Sequence, residues 1–177
     1  MLQLRPCTIL AAGALLATTA MAPALADEKR QLGAHEHGAA LLQFAVEGDA
    51  VEIVLEVPGE DIVGFEHAAE TDEQKATVAQ EQERLSDPLD LFALPAEAGC
   101  TVAAAEVELH QEGDHNAFEA EYALTCEDAG AITVIETRLF ELYPTLEEIE
   151  VEVVTGAGQG AGELRPDAPS MPLPGTS

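Results

Sequence analysis

The residues from Ala40 to Val57 constrain the fold more than any other part of the chain. Ala40, Leu42, Phe44 and Val46 take alternate positions, the segment EGDA turns the backbone, and Val51, Ile53, Leu55 and Val57 alternate on the way back. Alternation with a period of two marks a β strand with one buried face. Setting Val46 opposite Val51 also sets Phe44 opposite Ile53 and Leu42 opposite Leu55. The apolar side chains then share one face, and a slip of one residue would turn them all outward. The segment is therefore expected to be a hairpin, ended by Pro58-Gly59.

A second hairpin is read in CTVAAAEVELHQEGDHNAFEAEYALTC, with its tip from Gln111 to Asn116. Matching the apolar faces puts Leu109 opposite Phe118. That register leaves Cys100 opposite Glu127, one residue off from Cys126. A bulge near Gly99 or in the return strand would bring the cysteines together.

Between the hairpins, EDIVGFEHAAE reads as a connector with Ile62, Val63 and Phe65 turned inward. TDEQKATVAQEQERLSD reads as a helix. Thr71 and Gln74 form a capping box, and acidic residues crowd the first turn. Its apolar stripe is thin (Ala76, Ala79, Leu85), so the helix is expected to lie on the surface. Asp87-Pro88 stops it. LDLFALPAEAG reads as a loop or a short turn of helix. AITVIETRLFELYP is a strand running into a turn, and EEIEVEVVT is another alternating strand. The tail from about residue 155 is rich in Gly and Pro and reads as loop or weak edge strand. About six strands, one clear helix and one short helix make a mostly β, α+β fold. The expected architecture is an antiparallel sheet or β-sandwich with a helix packed outside.

The first 26 residues stand apart from this domain. Arg5 precedes a short apolar run that closes on Ala24-Leu25-Ala26, before Asp27. That is the three-part form of a secretory signal, and the run is a poor membrane span. The expectation is a signal peptide over 1–26 and a single domain over 27–177, exported to the periplasm and not inserted in a membrane after cleavage. In an oxidising compartment Cys100 and Cys126 most simply pair as a disulfide, with a thiolate metal site as the alternative.

Charge excludes one class of partner. The chain carries 34 acidic and 7 basic residues, a net charge of −27. Cleavage would remove only Arg5 and make it −28. Such a field repels phosphate backbones, so nucleic acid is excluded as a partner. It suits solubility in a salty medium and does not by itself argue for a metal.

Four of the five histidines fall in two pairs. His35 and His37 lie two apart at the mouth of the first strand. On one strand face their rings would be about 7 Å apart along the chain, close enough to share a zinc ion; a solvated chain end is the alternative. His110 and His115 flank the second hairpin's tip with Glu112 and Asp114 between them. A tip brings its ends together, so both rings could converge with a carboxylate; an exposed polar turn is the alternative. His67, in VGFEHA, reads first as a hydrogen-bonded structural residue and second as a ligand or a residue that orients one.

No calcium loop, phosphate loop, nucleophile elbow or H-E-x-x-H motif occurs in the sequence, so an enzyme has no positive support. Among metals, imidazole and carboxylate favour Zn2+. Cu(I) prefers thioether and thiolate, and only Met171 remains beyond the signal segment, while Cu2+ stays open because it outcompetes zinc at nitrogen sites.

These features together resemble a known group. AHEHGAALLQFAVEGDAVEIVLEVPGEDIVGFEHA looks like the N-terminal signature of the zinc-regulated periplasmic proteins, the ZrgA-like family. LFALPAEAGC, AEYALTC, LFELYPTLEEIEV and TGAGQGAGEL are similar to it in the same order. The resemblance implies a periplasmic zinc-binding protein supporting zinc uptake beside an ATP-driven importer or its binding protein. It assigns His35, His37 and His67 as motif positions and Cys100 and Cys126 as the structural pair. Many relatives carry a long His- and acid-rich insertion in the second hairpin; here it is only HQEGDHN.

The reading is thus a zinc-binding accessory protein with His35 and His37 as first candidates. His110, Asp114 and His115 come second, and His67 third. Two other classes compete: an acidic envelope interaction module without metal, and a periplasmic copper chaperone.

Overall fold

The first hairpin forms in the register that its side chains dictate. In the computed structural model, which describes residues 37–175, β1 (Ala39–Glu47) and β2 (Ala50–Pro58) are antiparallel. Val46 stands opposite Val51, Phe44 opposite Ile53 and Leu42 opposite Leu55. The signal segment and His35 lie outside the described residues.

The connector that follows is not all loop. Gly59–Val63 forms a short helix, α1, stopped by Gly64 in the left-handed region. Helix α2 (Asp72–Leu85) starts at Thr71 with the full capping box, in which Gln74 and Thr71 bond each other's backbone. Only Glu81 and Leu85 of α2 are buried, as its thin apolar stripe requires. Polar bonds add to the anchorage. The buried Glu81 carboxylate accepts from Arg84 and from the Tyr143 hydroxyl at 2.9 Å, and the Tyr122 hydroxyl donates to the Leu85 carbonyl at 2.6 Å.

Helix α3 (Pro88–Leu91) and a 3-10 turn (Ala96–Ala98) lead into the second hairpin, β3 (Thr101–Glu112) and β4 (His115–Thr125). Leu109 faces Phe118 as expected. The bulge that reconciles the cysteines lies between Val102 and Ala104 of β3, a few residues beyond Gly99 and not in the return strand. One extra residue in β3 shifts the register so that Thr101 meets Thr125, and Cys100 bonds Cys126. The small side chains of Ala103, Ala104 and Ala105 let the strand absorb it.

Strand β5 (Val134–Glu136), helix α4 (Leu139–Leu142), β6 (Glu148–Thr155), β7 (Gly158–Leu164) and β8 (Ser170–Pro172) complete the described residues. Two of the eight strands come from the Gly/Pro-rich tail: β7 pairs with β6, and β8 pairs with β5. The result is β-rich α+β: one six-stranded sheet in the order β3-β4-β2-β1-β6-β7, and a two-stranded sheet of β5 and β8. The large sheet is mixed, because β1 and β6 run parallel while the other neighbours are antiparallel.

One face of the sheet is the core. Leu42, Phe44, Ile53, Leu55, Phe118 and Val151 on it are fully buried, together with Leu85 and Leu91 from the helices. Burial of each such side chain contributes roughly 1.5–3 kcal/mol. The alternate positions carry the acids. Glu108, Glu119, Glu56, Leu41, Glu150 and Glu163 stand in one cross-strand row. Among the described residues no helix is long and apolar enough to cross a membrane.

Candidate metal centre

The end of the sheet where β1 begins and β2 stops collects the chemistry. His37 lies in the turn before β1. Glu60 is in the first turn of α1, directly after β2, and Glu66 is in the connector beyond α1. His115 opens β4, whose neighbour Ala117 pairs with Pro58. Elements distant in sequence are thereby stacked on one rim.

The His37 Nδ1 atom is 2.7 Å from Glu60 Oε2, and its Nε2 is 3.9 Å from Glu66 Oε2. The same Glu66 oxygen is 2.6 Å from His115 Nδ1. One ligand atom each from His37, Glu60 and Glu66 lies within 4.8 Å of the others. All of these side chains are partly exposed, so water and ions reach them. A tetrahedral zinc ion needs ligand atoms about 3.3 Å apart, given bonds of roughly 2 Å. Small rotations of partly exposed side chains would close that gap.

Below these tips the backbone is firmly held. The Gly38 amide donates to the buried Asp61 carboxylate at 2.8 Å, and the Gly38 carbonyl accepts from the amides of Glu147 (2.7 Å) and Glu148 (2.9 Å). Gly38 has φ +83°, and a Cβ there would press on Glu147 and the Thr145 carbonyl. Burial raises the Asp61 carboxyl above its ordinary 3.8, opposed by the Gly38 amide, Thr145 and His37. On the other side, the buried Asn116 amide donates to the His67 carbonyl at 3.0 Å and so fastens the Glu66 connector to β4. Its Oδ1 fills the place where a Cβ at Gly59 would stand, which explains the glycine.

The structure sorts the candidates named from sequence. His37 and His115 meet around Glu66. His67 does not join them: its ring stacks on Phe65 at 5.2 Å and its Nδ1 contacts the Ala68 carbonyl at 2.9 Å. His110 and His115 do not share a carboxylate. His115 faces Glu112 across the hairpin and reaches Glu66, whereas His110 lies 3.6 Å from Glu108 and 3.7 Å from Glu119. Asp114 is exposed at the tip. The two carboxylates of the cluster, Glu60 and Glu66, were hidden among 34 acids. Their one sequence signal is position: Glu60 follows the strand-ending Pro58-Gly59, and Glu66 adjoins His67.

One imidazole and two carboxylates are a donor set that suits a divalent ion such as zinc, with no sulfur in it. The chain belongs to the ZrgA family of zinc uptake proteins, which it matches over residues 34–173. No curated protein matches it.

Proposed function

We propose that this protein binds zinc in the periplasm and passes it to an uptake system, as an accessory to an ATP-driven importer or its binding protein. It carries zinc rather than catalysing a reaction. The observation that supports this reading most is the His37, Glu60 and Glu66 group, whose ligand atoms stand within 4.8 Å of one another. Zinc would be held by a His37 ring nitrogen together with the Glu60 and Glu66 carboxylates. His115 and Glu66 would move as a pair, His115 either orienting the carboxylate or supplying the fourth ligand. Exposure of the group suits an ion that must be released again. Export rests on the N-terminal segment ending at Ala26.

Titration calorimetry with zinc tests the reading. One ion bound per chain with sub-micromolar affinity is expected, with most of the heat lost in His37→Ala. Calcium at equal concentration should give only weak heat from the acidic surface. Tighter binding of copper under reducing conditions would favour a copper chaperone, and no specific heat with either metal would favour an interaction module.

A further inference from the structure

We infer that Asp61 is a positioning residue for zinc: through the Gly38 amide it holds His37 in the place from which it binds the ion. This rests on the zinc reading of the His37, Glu60 and Glu66 group. Asp61 directly follows Glu60 on α1, so one turn of helix supplies both a carboxylate beside the His37 ring and a clamp on the backbone beneath it. The clamp is buried: Asp61 is 7% exposed and its Oδ2 accepts the Gly38 N–H at 2.8 Å.

Three further hydrogen bonds tie the same region to the start of β6. The Gly38 carbonyl accepts the Glu147 and Glu148 amides, and the Thr145 hydroxyl donates to the Asp61 carbonyl at 3.2 Å. Three chain segments thus meet at Gly38, all through its backbone. The neighbouring His37 side chain remains exposed, with its ring beside Glu60 and Glu66. Fixing a ligand's backbone before the ion arrives removes an ordering cost from binding. Partners that orient a metal ligand commonly influence affinity by 10- to 100-fold. A buried carboxylate carries a desolvation cost, which a role in holding the amide accounts for.

The test is zinc affinity in Asp61→Ala, Asp61→Asn and Gly38→Ala, with the zinc-free melting curve of each recorded. Asp61→Ala is expected to weaken zinc by about tenfold. Asp61→Asn keeps an acceptor for the amide and is expected to stay within about twofold of the unaltered chain. In a His37→Ala background, Asp61→Ala should cause no further loss, because its effect passes through His37. Unaltered affinity in Asp61→Ala would overturn the inference. So would equal losses in the Asn and Ala variants, which would mark a direct ligand, or a full loss that persists without His37. If Asp61→Ala does not fold, Gly38→Ala losing affinity while Asp61→Asn keeps it supports the inference, and the reverse overturns it. Zinc binding untouched by His37→Ala would overturn the site and the inference together; a loss in His37→Ala alone overturns only the inference.

Discussion

The Glu66 carboxylate lies 2.6 Å from the His115 ring, 49 residues further along the chain. This contact joins the connector after the first hairpin to the tip of the second. Glu66 therefore sits between two imidazoles, and its loss should matter more than the loss of His115. Glu66→Ala is expected to weaken zinc by about tenfold or more, and His115→Ala by less. Calorimetry on the two variants compares them; equal affinity in Glu66→Ala and the unaltered chain would contradict the placement of Glu66.

The Cys100–Cys126 bond closes a span of 26 residues that contains the whole second hairpin. Replacing both cysteines by alanine should lower stability by about 2–4 kcal/mol, read from denaturant unfolding. The paired cysteines close the hairpin at the far end of β3 and β4 from His115, so zinc affinity should change little while the chain is folded.

Burial raises the hydroxyls of both Tyr122 and Tyr143 above the ordinary tyrosine value of 10.0; at Tyr143 the bonded Glu81 carboxylate adds to this. Above pH 10 the unfolded chain loses these protons while the folded chain keeps them. The unfolded state then binds fewer protons, so stability must fall as pH rises. The melting point should be insensitive to these groups at neutral pH and drop above about pH 10. Replacing both tyrosines by phenylalanine should flatten that drop, whatever it costs at neutral pH.

The row of Glu108, Glu119 and Glu56 sets like charges directly opposite one another on neighbouring strands. Such pairs destabilise a sheet by a few tenths of a kcal/mol, up to about 1. Glu119→Gln should raise the melting point at low salt, and the gain should shrink above about 0.5 M salt as screening takes over. A gain that does not depend on salt would point to packing instead.

How far the sequence could be read follows from the range of each interaction. The β1–β2 register was legible because a two-residue turn and two sets of four alternating apolar residues leave one solution. In the second hairpin the pairing of Leu109 with Phe118 and the need for a bulge were legible, but not its place. Ala103, Ala104 and Ala105 have side chains too small to mark which face they occupy. The parallel pairing of β1 with β6 left no local trace, since it joins segments about a hundred residues apart.

The site was half legible for the same reason. Histidine is scarce here, so His37 and His115 drew notice; Glu60 and Glu66 did not, because acids are everywhere. In GFEH the residue that reaches the cluster is Glu66, while His67 turns to Phe65. Only the packing of the connector after α1 against β4, fastened by Asn116, shows which of the two points to the group.

The most direct measurement is anomalous diffraction at the zinc edge from crystals grown with one equivalent of zinc. The expected result is a peak bounded by His37, Glu60 and Glu66, with His115 beside it. A sole peak at His110 with Glu108 and Glu119, or no ordered peak at one equivalent, would contradict the assignment.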